Sequence, residues 1–270
     1  MQSVRTVAQW PVDNAATAVV DATGERGSHG DLDRHFPLAS VTKMLTAYAV
    51  LLAVEEGAVE WDEPAGPEGS TVRHLIAHAS GLAPDRNEVQ AEPGTRRIYS
   101  NAGFEVLAAT VEKATQIPFA AYLEEAVLVP LSMSGSRLDG SAASGAVSTV
   151  ADLSRFAAEL LAPRLVAAET LAEAKRVAFA GLDGVLPGFG MQRPNDWGLG
   201  FELRDHKNPH WTGERSSSRT FGHFGQTGTF LWVDPVAGAA CVVLTARPFG
   251  DWAKQSWPRF TDAVLAELND

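Results

Sequence analysis

Residues 35–48, HFPLASVTKMLTAY, decide the reading of this chain. Ser40 stands at the head of a long apolar run: Met44, Leu45, Ala47, Tyr48, Val50, Leu51 and Leu52 follow it, and Lys43 lies three residues on. The run predicts a helix to about Glu56, with Gly57 as its stop. Serine is a preferred helix N-cap, so one reading of Ser40 is capping. The other is chemical. Residues three apart on a helix share a face, which would aim the Lys43 amine at the Ser40 hydroxyl. A serine hydroxyl is a poor nucleophile without a base. Lysine can be that base only when burial or a nearby cation keeps its amine neutral. No other serine in the chain has a lysine three residues later.

Composition sets the frame for either reading. The 270 residues are 45% hydrophobic and 20% charged, which fits one large or two smaller soluble domains with a sizeable core. A net charge of -11 argues against nucleic acid or an anionic membrane as the main partner. No apolar run approaches the ~20 residues of a membrane span, and the start, MQSVRTVAQWPVDNAA, carries no secretory-type apolar stretch. The expected location is therefore cytoplasmic, or exported if a leader was removed. Cys241, the one cysteine, sits in the apolar run AACVVLT and reads as a buried small hydrophobe on a strand.

Outward from Ser40, ATAVVDAT reads as a strand ended by Gly24, and GERGSHG as a second short strand or a turn. TVRHLIAHA (71–79), NAGFEVLAATVEKAT (101–115), PFAAYLEEAVLVPL and STVADLSRFAAELL (148–161) read as helices, the last capped by Ser148 or Thr149. The pattern then changes. WGLGFELRD (197–205), RTFGHFGQ, TGTFLWVDP and AGAACVVLTA read as strands between Gly and Asp-Pro turns, and the tail from Asp251 as a helix. Residues 204–220 are polar and predict a mobile loop. One sheet built from both chain ends, with a mostly helical insertion, is the economical arrangement. It gives an α/β part of about 1–36 and 195–270 and a mostly helical part of about 37–194, in one domain.

Two further stretches carry chemistry. IYSNAGF holds the only Tyr-x-Asn of the chain. Positions two apart on extended backbone point the same way, so Tyr99 and Asn101 can reach one cleft, while Ser100 or Asn101 caps the next helix. In TFGHFGQ, His223 sits on a strand and Gly225 allows close approach to the backbone. A strand edge beside a nucleophile can lend an N–H to an oxyanion hole, though a lone His-x-Gly is also compatible with a structural role. His74 and His78, four apart in HLIAH, have the spacing of zinc ligands but lack the glutamate that follows the first histidine in such helices, so no metal is expected. His206 and His210 read as solvated. Trp197, Trp211 and Phe224 are candidates for pocket walls.

S-V-T-K, then Y-S-N, then H-F-G, in this order, resemble the serine β-lactamase and penicillin-binding protein superfamily. The phrases FPLASVTKMLTA, TVRHLIAHASGL, PGTRRIYSNAGFEVLA and GHFGQTGTFLWVDP are similar to its class C-like branch, which includes DD-peptidases, D-aminopeptidases and β-lactamase-fold esterases. The resemblance runs from about residue 15 to near the end. It implies an α+β fold, an antiparallel sheet flanked by helices plus a mostly helical region, with Ser40 at their junction.

The resemblance also implies roles. Ser40 is acylated, Lys43 and Tyr99 act together as base and proton shuttle, and Asn101 orients the substrate. His223 stands where many relatives have lysine. The N–H groups of Ser40 and Gln226 form the oxyanion hole, and water releases the acyl group. No cofactor is implied, and the expected partner is a small ester or amide. Histidine in place of lysine is commoner among the peptidase- and esterase-like relatives. The stretch between SGL and PGTRRIYSN is short, which implies a compact and open site. The expected function is an acyl-serine hydrolase acting on small carboxylic esters. A DD-peptidase, D-amino-acid peptidase or weak β-lactamase is the alternative, and a non-catalytic binding protein of the same fold is a third.

Overall fold

The computed structural model describes residues 1–269. After a 3-10 segment, Ser3–Gln9, come strands β1 (Ala15–Asp21), β2 (Gly24–His29) and β3 (Phe36–Pro37). Helices α1 (Thr42–Glu55), α2 (Val72–Ile76), α3 (Asn101–Thr115) and α4 (Phe119–Leu123) follow. Next are β4 (Arg137–Leu138), β5 (Ala146–Ser148), α5 (Val150–Leu161), α6 (Ala168–Ala174), β6 (Gly184–Leu186) and β7 (Gly190–Gln192). The last segment holds β8 (Glu202–Leu203), β9 (Phe221–Gly225), β10 (Thr229–Asp234), β11 (Ala239–Thr245) and α7 (Asp251–Asn269).

The main sheet has the order β2-β1-β11-β10-β9-β8, and every neighbouring pair is antiparallel. β1 runs the length of β11, from Ala15 opposite Thr245 to Asp21 opposite Ala239. The strands thus come from both chain ends. Their side chains alternate between two cores. Ala16, Ala18, Val20, Leu231, Val233, Val242 and Leu244 pack with α1, α3 and α5. Val19, Phe230, Trp232, Cys241 and Val243 pack with Trp257, Phe260 and Val264 of α7 and with the N-terminal 3-10 segment. Helices on both faces explain why AACVVLT is apolar throughout, since neither face of β11 meets water. Cys241 is fully buried.

Several expected elements differ in extent. TVRHLIAHA is helical only over Val72–Ile76, because His78 takes left-handed backbone (φ 56°) and ends it. PFAAYLEEAVLVPL begins as α4 but continues as a π-helical turn over Glu124–Leu128. WGLGFELRD joins the main sheet only at Glu202 and Leu203, and Trp197 bridges back to Glu202. The earlier part turns at Gly200 (φ 85°), whose bare Cα packs against the Ala47 methyl group of α1. Residues 204–220 form a loop between β8 and β9, as expected, but one tucked into the protein: Lys207, His210, Trp211, Thr212 and Ser216 are all buried. His206 is exposed as expected, but His210 is not. The cap of α5 is Thr149, whose hydroxyl accepts from the Asp152 N–H. No helix among the described residues is long and apolar enough to cross a membrane.

Candidate active site

Ser40 does not cap a helix. It lies in a 3-10 turn, Ala39–Val41, that leads directly into α1, and α1 has no side-chain cap. Ala39, just before it, has φ 46°, a strained conformation for a residue with a Cβ. The surroundings over-determine that turn. Thr227 donates to the Pro37 carbonyl at 2.7 Å, Thr229 to the Leu38 carbonyl at 2.8 Å, and the Leu38 N–H to the Ala146 carbonyl at 2.9 Å. Gly225 is required for the same contact. A Cβ there would stand 2.3 Å from the Leu38 carbonyl oxygen and 3.1 Å from the Ala39 Cβ. The glycine of H-F-G therefore seats the Ser40 turn against β9.

Lys43, one turn along α1, is completely buried. Its Nζ donates to Asn101 Oδ1 at 2.5 Å and to the Ala143 carbonyl at 2.9 Å. It also lies 4.7 Å from the centre of the Tyr99 ring. Burial depresses the amine to about 7, and the more distant carboxylates of Glu105 and Asp85 offset only part of that effect. Burial pushes the Tyr99 hydroxyl above the usual phenol range, and a hydrogen bond with the Ser40 hydroxyl opposes the shift. Tyr99 therefore stays protonated at neutral pH and is linked to the Ser40 hydroxyl.

Ser100 is the N-cap of α3. Its Oγ accepts from the Gly103 N–H at 2.9 Å and donates to the Ala83 carbonyl at 2.6 Å. That cap leaves Asn101 at the first helical position, where its side chain is spoken for at both ends. Oδ1 takes the Lys43 amine, and Nδ2 donates to Asp85 Oδ1 at 2.7 Å. Asn101 thus holds the Lys43 amine, a contact that Tyr-x-Asn spacing alone does not show.

His223 is buried on β9, with Nδ1 2.7 Å from the Phe224 carbonyl oxygen. A carbonyl only accepts, so Nδ1 carries the proton and Nε2 presents a lone pair. Burial, with the Lys43 charge adding to it, lowers the imidazole to about 3. His223 is therefore neutral.

These residues share one cavity of about 220 Å³, lined by Ser40, Tyr99, Asn101, His223 and Gln226 with Pro84, Asp85, Leu186, Pro187, Trp197, Glu202 and Phe224. Sequence reasoning picked out Trp197 and Phe224 as walls. Trp211 belongs instead to the core beneath, with Phe224 and Phe230. Asp85 and Glu202 went unnoticed. Nothing in SGLAPDRNEV marks Asp85 as a cavity residue, and Glu202 looks like an ordinary strand position.

Glu202 anchors a buried polar group behind the cavity. It accepts from Lys207, from His210 Nε2 at 2.9 Å and from Trp211 Nε1 at 2.9 Å. Lys207 also donates to the Asp196 carbonyl at 2.6 Å and the Leu203 carbonyl at 2.5 Å, which ties the strand to the segment carrying Trp197. His74 and His78 diverge. His74 Nδ1 meets the Thr71 hydroxyl, while His78 Nδ1 accepts from the Ser100 N–H. Among the described residues no group of three or more His, Cys, Asp or Glu side chains could hold a metal.

Comparison with known proteins agrees with this geometry. Residues 12–266 match the family model described as beta-lactamase. A crystal structure described as a beta-lactamase from Mycobacterium bovis is 59% identical, superposes with a TM-score of 0.98, and covers 98% of this chain and 99% of its own. A mutant of simvastatin synthase from Aspergillus terreus has a TM-score of 0.81 over 99% of this chain and 98% of its own, at 18% identity, a likeness of fold alone. Penicillin-binding protein 4* of Bacillus subtilis (strain 168) is 27% identical over 136 residues, which span 38% of this chain and only 30% of that protein. The Ser40 turn, a buried lysine and a tyrosine gathered beside an antiparallel sheet, and a family match over nearly the whole chain, lead to one conclusion: the chain belongs to the β-lactamase family of serine hydrolases.

Proposed function

We propose that the protein is an esterase that acylates Ser40 with small, uncharged carboxylic esters. The observation that carries this reading is the charge of the cavity. Its ionisable lining residues are Asp85, Tyr99, Glu202 and His223, with no arginine or lysine on the wall. His223 offers a lone pair where a substrate carboxylate would need a donor. β-Lactams and D-alanyl-D-alanine peptides both carry a carboxylate close to the scissile bond. An ester without one leaves no charge unpaired.

The steps follow from the groups in place. Neutral Lys43, through Tyr99, takes the Ser40 proton as Oγ bonds to the ester carbonyl carbon. The N–H groups of Ser40 and Gln226 stabilise the oxyanion. The tetrahedral adduct collapses, the C–O bond to the alcohol breaks, and Tyr99 returns the proton to the departing oxygen. Water then attacks the acyl-serine by the same relay and gives the acid and free Ser40.

The test compares p-nitrophenyl butyrate with the p-nitrophenyl monoester of succinate and with a chromogenic cephalosporin. The neutral ester is expected to lead in kcat/KM by about 10–100-fold, the cost of one unpaired buried polar group. His223→Lys is expected to narrow that gap. Preferred turnover of the cephalosporin would overturn the reading. It would favour a weak β-lactamase or a D-amino-acid peptidase, which the 59% identity to a structure described as a beta-lactamase supports.

A further inference from the structure

We infer that His78 is a positioning residue that clamps Tyr99, acting on catalysis without touching the substrate. The inference rests on the serine-hydrolase reading of the site but not on the choice of ester.

His78 brackets Tyr99 from both sides in sequence. Its backbone carbonyl accepts from the Ile98 N–H at 3.0 Å, and its Nδ1 accepts from the Ser100 N–H at 3.1 Å. Its ring packs 4.7 Å from the Tyr99 ring, centre to centre, so the clamped residue is held on its face as well. Trp197 and Phe104 close the other sides of the imidazole, at 4.6 and 5.1 Å. His78 is 1% exposed and does not line the cavity. It reaches the cavity through its neighbours, Tyr99 foremost among them.

Two features at this position are costly to the fold, and ending α2, where glycine is the usual residue, requires neither a histidine nor its ring. His78 sits at φ 56°, in the left-handed region. A buried histidine whose Nδ1 accepts must carry its proton on Nε2, and that N–H has no hydrogen-bond partner among the described residues. Strain and an unsatisfied group at one buried position point to a functional constraint. The turn is enforced from outside. Arg97, itself buried, donates to the Ala77 carbonyl at 2.5 Å and to the Asn195 carbonyl at 3.0 Å. The same arginine is two residues before Tyr99, so both partners of the clamp are fixed by one side chain. The donor at Ser100 is also the residue whose hydroxyl caps α3. Asn101, which holds Lys43, is thereby registered to the same clamp.

The test uses His78→Gly and His78→Asn in the full chain. Glycine accepts the left-handed backbone but removes acceptor and ring. Asparagine tolerates that backbone, and its Oδ1 can accept from Ser100. The readout is the rate of covalent labelling of Ser40 by a fluorophosphonate, followed by intact mass, together with kcat and KM on an ester. For His78→Gly the labelling rate and kcat are expected to fall about 100-fold, the size of effect a misplaced group produces, with KM nearly unchanged. His78→Asn should recover most of the loss. His78→Gly labelling as fast as wild type would overturn the clamp. Wild type that fails to label at all would instead remove the hydrolase reading. A second measurement stands apart from folding of the variants: ¹⁵N NMR of histidine-labelled wild type should show His78 as the Nε2–H tautomer. An Nδ1–H tautomer would refute the clamp.

Discussion

The Lys43 amine and the Asn101 side-chain oxygen are 2.5 Å apart, and the Ala143 carbonyl takes a second bond from the same nitrogen. A neutral amine has two N–H groups and one lone pair. Both N–H groups are thus used, and the lone pair is left free to accept a proton. An ammonium would carry a third N–H without a protein acceptor among these contacts. Burial, which lowers the amine to about 7, brings that basic form within reach near neutral pH.

Activity should therefore rise with pH. The folded-state value of Lys43 is depressed to about 7, so the neutral base gains population as pH climbs through that value and is saturated above it. The relevant quantity is kcat/KM on a neutral ester between pH 5 and 9. A profile that rises to a plateau above about 7 is expected, and one that is flat or falls would contradict the assignment of the base.

Asn101→Asp places a carboxylate against the Lys43 amine. An opposite charge at that range favours the ammonium and raises its pKa by about 1–3 units. The rising limb of the pH profile should shift to alkaline pH by that amount, with a loss of ~10-fold or more in rate at pH 7. An unshifted limb would show that Asn101 does not control the base.

Tyr99→Phe keeps the ring that packs on His78 and His223 but removes the hydroxyl next to Ser40. The loss expected in kcat is ~10²–10⁴, the usual size of a general acid–base contribution. Stopped-flow or steady-state rates at the level of wild type would remove Tyr99 from the relay.

Much of this site was legible in the sequence because its chemistry is local. Ser40 and Lys43 share a helix start, Tyr99 and Asn101 flank a cap, and His223 and Gly225 share a strand. What sequence could not show depends on contacts across the chain. Gly225 is needed by Leu38 and Ala39, nearly two hundred residues earlier. His210 in the polar loop 204–220 reads as solvated because its burial rests on Glu202 pairing with Lys207 and His210. His78 invites a zinc reading from its spacing to His74, and only the left-handed turn reveals that it faces Tyr99 instead.

Glu202 is also a stability prediction. Burial alone would raise its carboxyl, but Lys207 and His210 outweigh that and hold it at about 2. A carboxyl lowered in the folded state contributes stability above its unfolded value of 4.5, and that stability is lost as pH falls from there toward 2. Glu202→Gln leaves the Lys207 charge buried without its partner and should cost about 3–5 kcal/mol in urea unfolding at neutral pH. Its stability should also depend less on pH below 4.5. A variant as stable as wild type would show that the network is not held together by charge.

The most direct test of the central claim is hydrolysis of p-nitrophenyl acetate and butyrate by wild type beside Ser40→Ala, with intact mass taken during turnover. Wild type is expected to turn over and to carry a transient acyl adduct on the Ser40 peptide, while Ser40→Ala shows neither. Turnover that survives in Ser40→Ala, or an adduct on another residue, would contradict the account.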